Sequence, residues 1–143
     1  MLFPKKVKHR KWQTARKNPI RIANTKASRG TELQFGSFAV KAASSARVKS
    51  NQIESARKVV SRTIGKFGRY WIRVFPDRPV TRKAAEVGMG KGKGDPDHFC
   101  FDVEPGRIIF EVDGVTEAIA REALRKAGAK LPIKVKIISR EDM

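Results

Sequence analysis

Charge is spread so unevenly along this chain that it dictates where a core can form. Residues 1–50 hold 13 Lys and Arg against a single acid, Glu32, for a net of +12. Residues 51–94 hold 11 against three (+8), and residues 95–143 hold eight against ten (−2). Within the first part, Lys5, Lys6, Lys8, Arg10, Lys11, Arg16, Lys17, Arg21, Lys26 and Arg29 stand among few apolar residues with no usable period. Such a segment buries too little apolar area to offset chain entropy, so residues 1–31 read as a basic arm that a partner orders. Trp12 and Phe3 within it are suited to stacking on bases or plugging a gap in that partner. Residues 32–143 read as one α+β domain. The total of +18 in 143 residues repels itself in the compact state unless a polyanion neutralises it.

Several function classes fall away. One cysteine, Cys100, leaves no internal disulfide and no multi-thiolate zinc site. No apolar run approaches the roughly 20 residues of a membrane span. The opening MLFPKKVKHRKW has no apolar h-region, and it is Lys-rich and proline-punctuated rather than amphipathic, unlike a transit peptide. Nucleic acid is therefore the leading partner, ahead of an anionic membrane or an acidic protein.

The elements follow from periodicity. LQFGSFAVKAA (33–43) reads as a strand interrupted at Gly36. Ser50 or Asn51 caps a helix, with Asn51 and Glu54 spaced as a capping box. Ile53, Ala56, Val60, Ile64 and Phe67 form its apolar face, and Lys58, Arg62 and Lys66 its opposite face. YWIRVF (70–75) is a short strand stopped by Pro76-Asp77-Arg78-Pro79. Residues 80–97 read as a long exposed loop. HFCFDVE (98–104) and RIIFEVDG (107–114) flank Pro105-Gly106 as a hairpin. Thr116 caps a second helix whose buried stripe is Ile119, Ala120, Ala123, Leu124 and Ala127, with Gly128 placed for left-handed geometry at its end. LPIKVKII (131–138) is a last strand with one wet face. The sum is a two-layer α+β fold, two helices on a mixed, largely antiparallel sheet.

No catalytic constellation is present. His9 and His98 are the only histidines, and neither H-E-x-x-H nor G-x-S-x-G occurs. Cys100, inside a predicted strand, reads as a small buried hydrophobe. Asp95, Asp97, Asp102 and Glu104 cluster, but Phe99 stands where a calcium loop needs its third ligand, so they read as solvated or Lys-pairing carboxylates. No metal, cofactor or small-molecule substrate is called for. The run Met89-Gly90-Lys91-Gly92-Lys93-Gly94 matches neither G-x-x-x-x-G-K-[ST] nor G-x-G-x-x-G, and no helix begins where a nucleotide phosphate needs one. Its glycines allow close backbone approach, and its lysines supply point charges for phosphates.

NQIESAR (51–57), YWIRVFPDRPVT (70–81), MGKGKG (89–94) and ALRKAGAKLPIK (123–134), with the MLFPKKVKHRK start, resemble the universal large-subunit ribosomal protein sixteen family in its bacterial or organellar form. The resemblance covers essentially the whole chain in order and spacing. It implies a hammerhead-like sheet docked on large-subunit (23S-type) ribosomal RNA beside the aminoacyl-tRNA site, with A-site and P-site tRNA and other large-subunit proteins as neighbours. The setting it implies is a ribosome in the cytoplasm of a bacterium or in an organelle. It points to Lys5, Lys6, Lys8, Arg10, Lys11, Arg16 and Lys17 in the arm as RNA contacts, and to Arg73 on a strand. The exposed helix face adds Lys58 and Arg62, and the loop adds Arg82, Lys83, Lys91 and Lys93 with Met89, Gly90, Gly92 and Gly94. Many members carry an arginine just before the loop's Met-Gly, where this chain has Gly88. A non-ribosomal architectural nucleic-acid binder shares the charge pattern, but no helix-turn-helix or dimerising heptad supports it. A nucleotide-using enzyme built on the Gly-Lys loop lacks a base, a nucleophile and a metal site.

Overall fold

Fifteen helical residues with apolar side chains three and four apart need a flat apolar surface to lie on, and the strands supply it. In the computed structural model, which describes residues 1–14 and 18–143, the elements run α1 (Pro19–Asn24), β1 (Phe38–Ala42), β2 (Ala46–Lys49), α2 (Ser50–Ile64), β3 (Arg69–Ile72), β4 (Arg78–Arg82), β5 (Asp95–Val103), β6 (Ile108–Asp113), α3 (Glu117–Ala129) and β7 (Val135–Ser139). A 3-10 turn, Arg140–Asp142, follows. Ile53, Ala56, Val60 and Ile64 of α2 and Ala120, Ala123, Leu124 and Ala127 of α3 are all buried. The two helices pack on each other and share one core with Val40, Phe110 and Val112 of the sheet.

The expected α+β architecture is the one observed, with the strands divided between two sheets. One runs β3-β6-β1-β7 and the other β2-β5-β4. Every strand pairing among the described residues is antiparallel. The hairpin predicted across Pro105-Gly106 does not form: β5 pairs with β2 and β4, whereas β6 pairs with β1 and β3. Composition explains the correction. Ile108, Ile109, Phe110, Glu111 and Val112 are buried without interruption. A strand enclosed on both faces must sit in the interior of a sheet, between two neighbours. Gly106 N–H donates to the Ala42 carbonyl and Ala42 N–H to the Arg107 carbonyl, both at 2.8 Å, so the turn is welded to β1 as it crosses between sheets.

Other local expectations shift for identifiable reasons. The first strand begins at Phe38 rather than 33, because the N–H groups of Gln34, Phe35 and Gly36 turn to the Glu111 carboxylate instead of a neighbouring strand. Helix α2 is capped one residue earlier than predicted. Gln52 Oε1 accepts from Lys49 N–H at 2.9 Å, and Glu54 is taken by Arg57 Nε at 3.0 Å. The helix ends at Ile64, so Phe67 lies beyond it and is 91% exposed rather than buried. Ile119 is 39% exposed, outside the α3 stripe. Gly128 lies within α3 in ordinary helical geometry, not left-handed geometry, and a β-carbon there would sit 2.5 Å from Val135 Cγ2. It is glycine so that the helix can approach β7. The third strand stops at Ile72 and the last starts at Val135.

The arm has more structure than its composition suggests. Asn18 Oδ1 accepts from Ile20 N–H at 3.0 Å, and Pro19 opens the short α1. Leu2 packs against the core fringe. Ala27 N–H donates to the Pro105 carbonyl at 2.9 Å, and Ile108 N–H to that of Gly30 at 2.8 Å. Residues 27–36 are thus tied to the four-stranded sheet, while residues 5–14 are exposed.

Candidate nucleic-acid interface

Strands β4 and β5 are adjacent and antiparallel, with Arg82 opposite Asp95. The segment between them is therefore the tip of a long hairpin. Strand pairing narrows the loop from the expected 80–97 to residues 83–94, with a register irregularity between Val80 and Thr81. At its end Gly90 (φ +95°), Lys91 (φ +60°) and Gly92 (φ +98°) lie consecutively in the left-handed region. Lys91 is the one non-glycine residue among those described with positive φ, a conformation that costs a side-chain-bearing residue about 1 kcal/mol or more. Met89 beside it is 98% exposed.

The arm and this loop meet. Lys11 Nζ donates to the Lys93 carbonyl at 3.0 Å, and Lys93 Nζ donates to the Trp12 carbonyl and lies 3.5 Å from Thr14 Oγ1. The contact is reciprocal: each lysine ammonium holds the other's backbone neighbourhood. Lys83 Nζ closes the loop's own base by donating to the Gly90 carbonyl at 2.6 Å. The Trp12 ring is covered by the Arg78 guanidinium at 5.6 Å, a cation–π contact between arm and hairpin. Lys11, Lys83 and Lys93 thus rest on neutral carbonyls at the surface. Carbonyl partners are weaker acceptors for an ammonium than anionic oxygens, so phosphates can displace them.

The structure brings some of the expected residues together and separates others. Lys5, Lys6, Lys8, Arg10 and Lys11 are exposed on the arm; Arg82, Lys91 and Lys93 are exposed at the hairpin tip, with Lys83 half-buried. Arg16 and Lys17 lie outside the described residues. Lys58 and Arg62 are exposed on α2, in the helical layer, and contribute nothing to the arm–loop assembly. Arg73 differs most from expectation. Its guanidinium ion-pairs with Glu111, which is fully enclosed, and its side chain is 13% exposed. Glu111 also accepts from Phe35 and Gly36 N–H at 2.7 Å and from Gln34 N–H at 3.2 Å. Burial pushes the Glu111 carboxyl up, but these N–H groups and Arg73 outweigh it and hold it below the usual glutamate range. Arg73 also covers the Phe35 ring at 5.3 Å. It is a half-buried counter-ion that seats the end of the arm.

Three cations went unread in the sequence. Arg78 pairs with Asp102 at 2.8 Å, Arg47 lies 3.3 Å from the same carboxylate, and Arg107 covers the Phe101 ring at 5.2 Å. Two-residue alternation along β5 was the available signal for the first two, since it puts Asp102 beside the facing positions of β2 and β4. Within the acidic cluster Asp102 pairs with Arg47 and Arg78 rather than with lysines, Asp97 Oδ2 lies 2.7 Å from His98 Nδ1, and Asp95 and Glu104 have no ion-pair partner among the described residues. Cys100 is enclosed, and burial pushes its thiol up. Among the described residues, no three His, Cys, Asp or Glu side chains converge to hold a metal, and no helix is long and apolar enough to cross a membrane.

Comparison with known proteins gives the family. The family described as Ribosomal protein L16p/L10e matches residues 4–138. The large ribosomal subunit protein uL16 of Halorhodospira halophila (strain DSM 244 / SL1) is 48% identical over 143 residues, covering all of both chains. The match spans the arm, both helices and the Gly-Lys hairpin together. The chain belongs to the L16p/L10e family of ribosomal proteins.

Proposed function

We propose that the protein is a structural constituent of the large ribosomal subunit that binds 23S-type ribosomal RNA and helps shape the aminoacyl-tRNA site. The observation that carries this reading is the pairing of arm and hairpin tip through Lys11 and Lys93. It presents the cations of two distant chain segments as one surface. On RNA, Lys5, Lys6, Lys8, Arg10 and Lys11 neutralise phosphates along the arm, and Arg82, Lys83, Lys91 and Lys93 do so at the tip. Each neutralised phosphate releases condensed counterions, and this release drives binding. Met89 and the flanking glycines let the tip pass close to an RNA backbone or to tRNA in the A-site and, beyond it, the P-site. Selectivity comes from RNA shape, because side chains do not read the deep A-form major groove. Lys58 and Arg62 offer further cations on the helical layer. Neighbouring large-subunit proteins complete the setting, a ribosome in the bacterial cytoplasm.

Deleting residues 2–14 tests the reading. The deletion removes five arm cations and leaves the Ala27 and Gly30 ties to the sheet intact. The shortened protein should stay folded, and its slope of log affinity against log salt on large-subunit RNA should fall by about 3.5–4.5. An unchanged slope would remove the arm from the interface. A preference of the full chain for duplex DNA over that RNA would favour an architectural DNA binder instead.

A further inference from the structure

We infer that the cleft between the C-terminal halves of α2 and α3 is a second RNA-binding surface, which grips the sugar-phosphate backbone at a segment separate from the one met by the arm and hairpin. This rests on the ribosomal-RNA reading above and adds a site to it. The cleft, of about 380 Å³, is lined by Val59, Arg62 and Thr63 from α2 and by Arg125, Lys126, Ala129 and Lys130 at the end of α3. It shares no residue with the arm or the hairpin tip.

Charge accounting points to an anion. The acids of α3 are answered one turn on along the helix itself: Glu117 lies 2.7 Å from Arg121 and Glu122 lies 2.9 Å from Lys126. Arg62, Arg125 and Lys130 have no ion-pair partner among the described residues. The two helix ends that converge here each carry roughly −0.5 of an elementary charge, which offsets about one of these three cations. About two positive charges remain on facing walls, where they repel each other unless an anion lies between them. The surplus comes largely from the chain's C-terminal third, whose net charge of −2 conceals it. A groove with cations on both sides suits a nucleic-acid backbone running along it. Its two apolar lining residues, Val59 and Ala129, are small, so it offers a protein partner no deep apolar pocket to fill.

The site is tested with directed cleavage in large subunits reconstituted with the full chain. Met89→Cys and Ala129→Cys each place one exposed thiol for a tethered iron probe, because the native Cys100 is enclosed. The Ala129 probe should cut ribosomal RNA at positions distinct from those cut by the Met89 probe. Cleavage by the Ala129 probe at the same positions, no RNA cleavage by it, or cleavage by it of a neighbouring ribosomal protein alone would each overturn the proposal. Silence of the Met89 probe alone would sink the hairpin-tip reading and leave the cleft standing. The double variant Arg125→Gln/Lys130→Gln should lower the salt slope of RNA binding by about 1.4–1.8, and an unchanged slope would also overturn it.

Discussion

The two sheets of this protein treat charge in opposite ways. In the four-stranded sheet, under α2 and α3, Glu111 is fully enclosed, and its carboxylate is answered by three backbone N–H groups and Arg73. In the three-stranded sheet the carboxylates of Asp97 and Asp102 are 45% and 40% exposed, and they pair with His98, Arg47 and Arg78 at the surface. Among the described residues, Lys11, Lys83 and Lys93 around the hairpin tip hold only carbonyls and one hydroxyl. Low dielectric makes the first arrangement expensive to disturb. Solvent and salt make the second easy to exchange, with each exposed pair worth about 0.2–1 kcal/mol. Charge inside this fold builds the protein, whereas charge outside it is available to a partner.

The largest expected effect breaks the interior arrangement. Glu111→Ala leaves the Arg73 guanidinium and three N–H groups without their acceptor, and should cost about 3–5 kcal/mol in denaturant unfolding. A loss below about 1 kcal/mol would mean that the two sheets handle charge alike. The same carboxylate sets a pH signature. Its pKa in the folded protein lies below that of an ordinary glutamate, so the stability it contributes is complete above the ordinary glutamate range. That contribution drains as pH falls from that range through the depressed folded value. Unfolding midpoints should therefore drop with acidification in the native protein and drop less in Glu111→Ala.

A smaller effect separates the two regions by packing rather than charge. In α3, Gly128→Ala puts a methyl 2.5 Å from Val135 Cγ2. The gain in helix propensity, up to about 1 kcal/mol, is outweighed by overpacking that typically costs about 1–3 kcal/mol. Adding Val135→Ala should relieve the clash and recover part of the loss. In the hairpin tip, Gly88→Ala meets nothing within 4 Å and should change stability by less than about 0.5 kcal/mol. If the two alanines behaved alike in thermal unfolding, Val135 and its neighbours would have the slack to absorb the added methyl.

Legibility followed the same division. Both long helices, most strands and the α+β class can be read because apolar period survives wherever a face is buried, as at Ile53, Ala56, Val60 and Ile64. Sheet membership cannot: the Pro105-Gly106 turn looks the same whether it closes a hairpin or crosses between sheets, and long-range pairing with β1 decides. The arm and tip lysines can be found from composition. The Arg73–Glu111 pair is invisible, since 38 residues separate its partners and no local pattern links them. The α2–α3 cleft is hidden for a related reason, because its cations come from segments with opposite net charge.

The smallest expected effect asks whether the exchangeable charges also organise the surface. Lys91 and Lys93 are two residues apart on the same tip, both exposed, and each carries one positive charge. They differ in one respect: Lys93 Nζ holds the arm through Trp12 and Thr14, whereas Lys91 Nζ makes no hydrogen bond among the described residues. If the tip binds RNA as proposed, replacing either by Met removes one phosphate contact, and each should lower the salt slope on large-subunit RNA by about 0.7–0.9. Lys93→Met should cost more affinity than Lys91→Met, by roughly fivefold to tenfold, because the arm and tip must then be ordered together during binding. Fold stability should stay within about 0.5 kcal/mol of the native protein in both variants, and backbone amides of residues 11–14 should exchange faster in Lys93→Met alone. Equal affinity losses would reduce both lysines to interchangeable point charges. Unequal ones would show that a hydrogen bond between two surface segments preorganises this side of the protein, as buried charge does on the other.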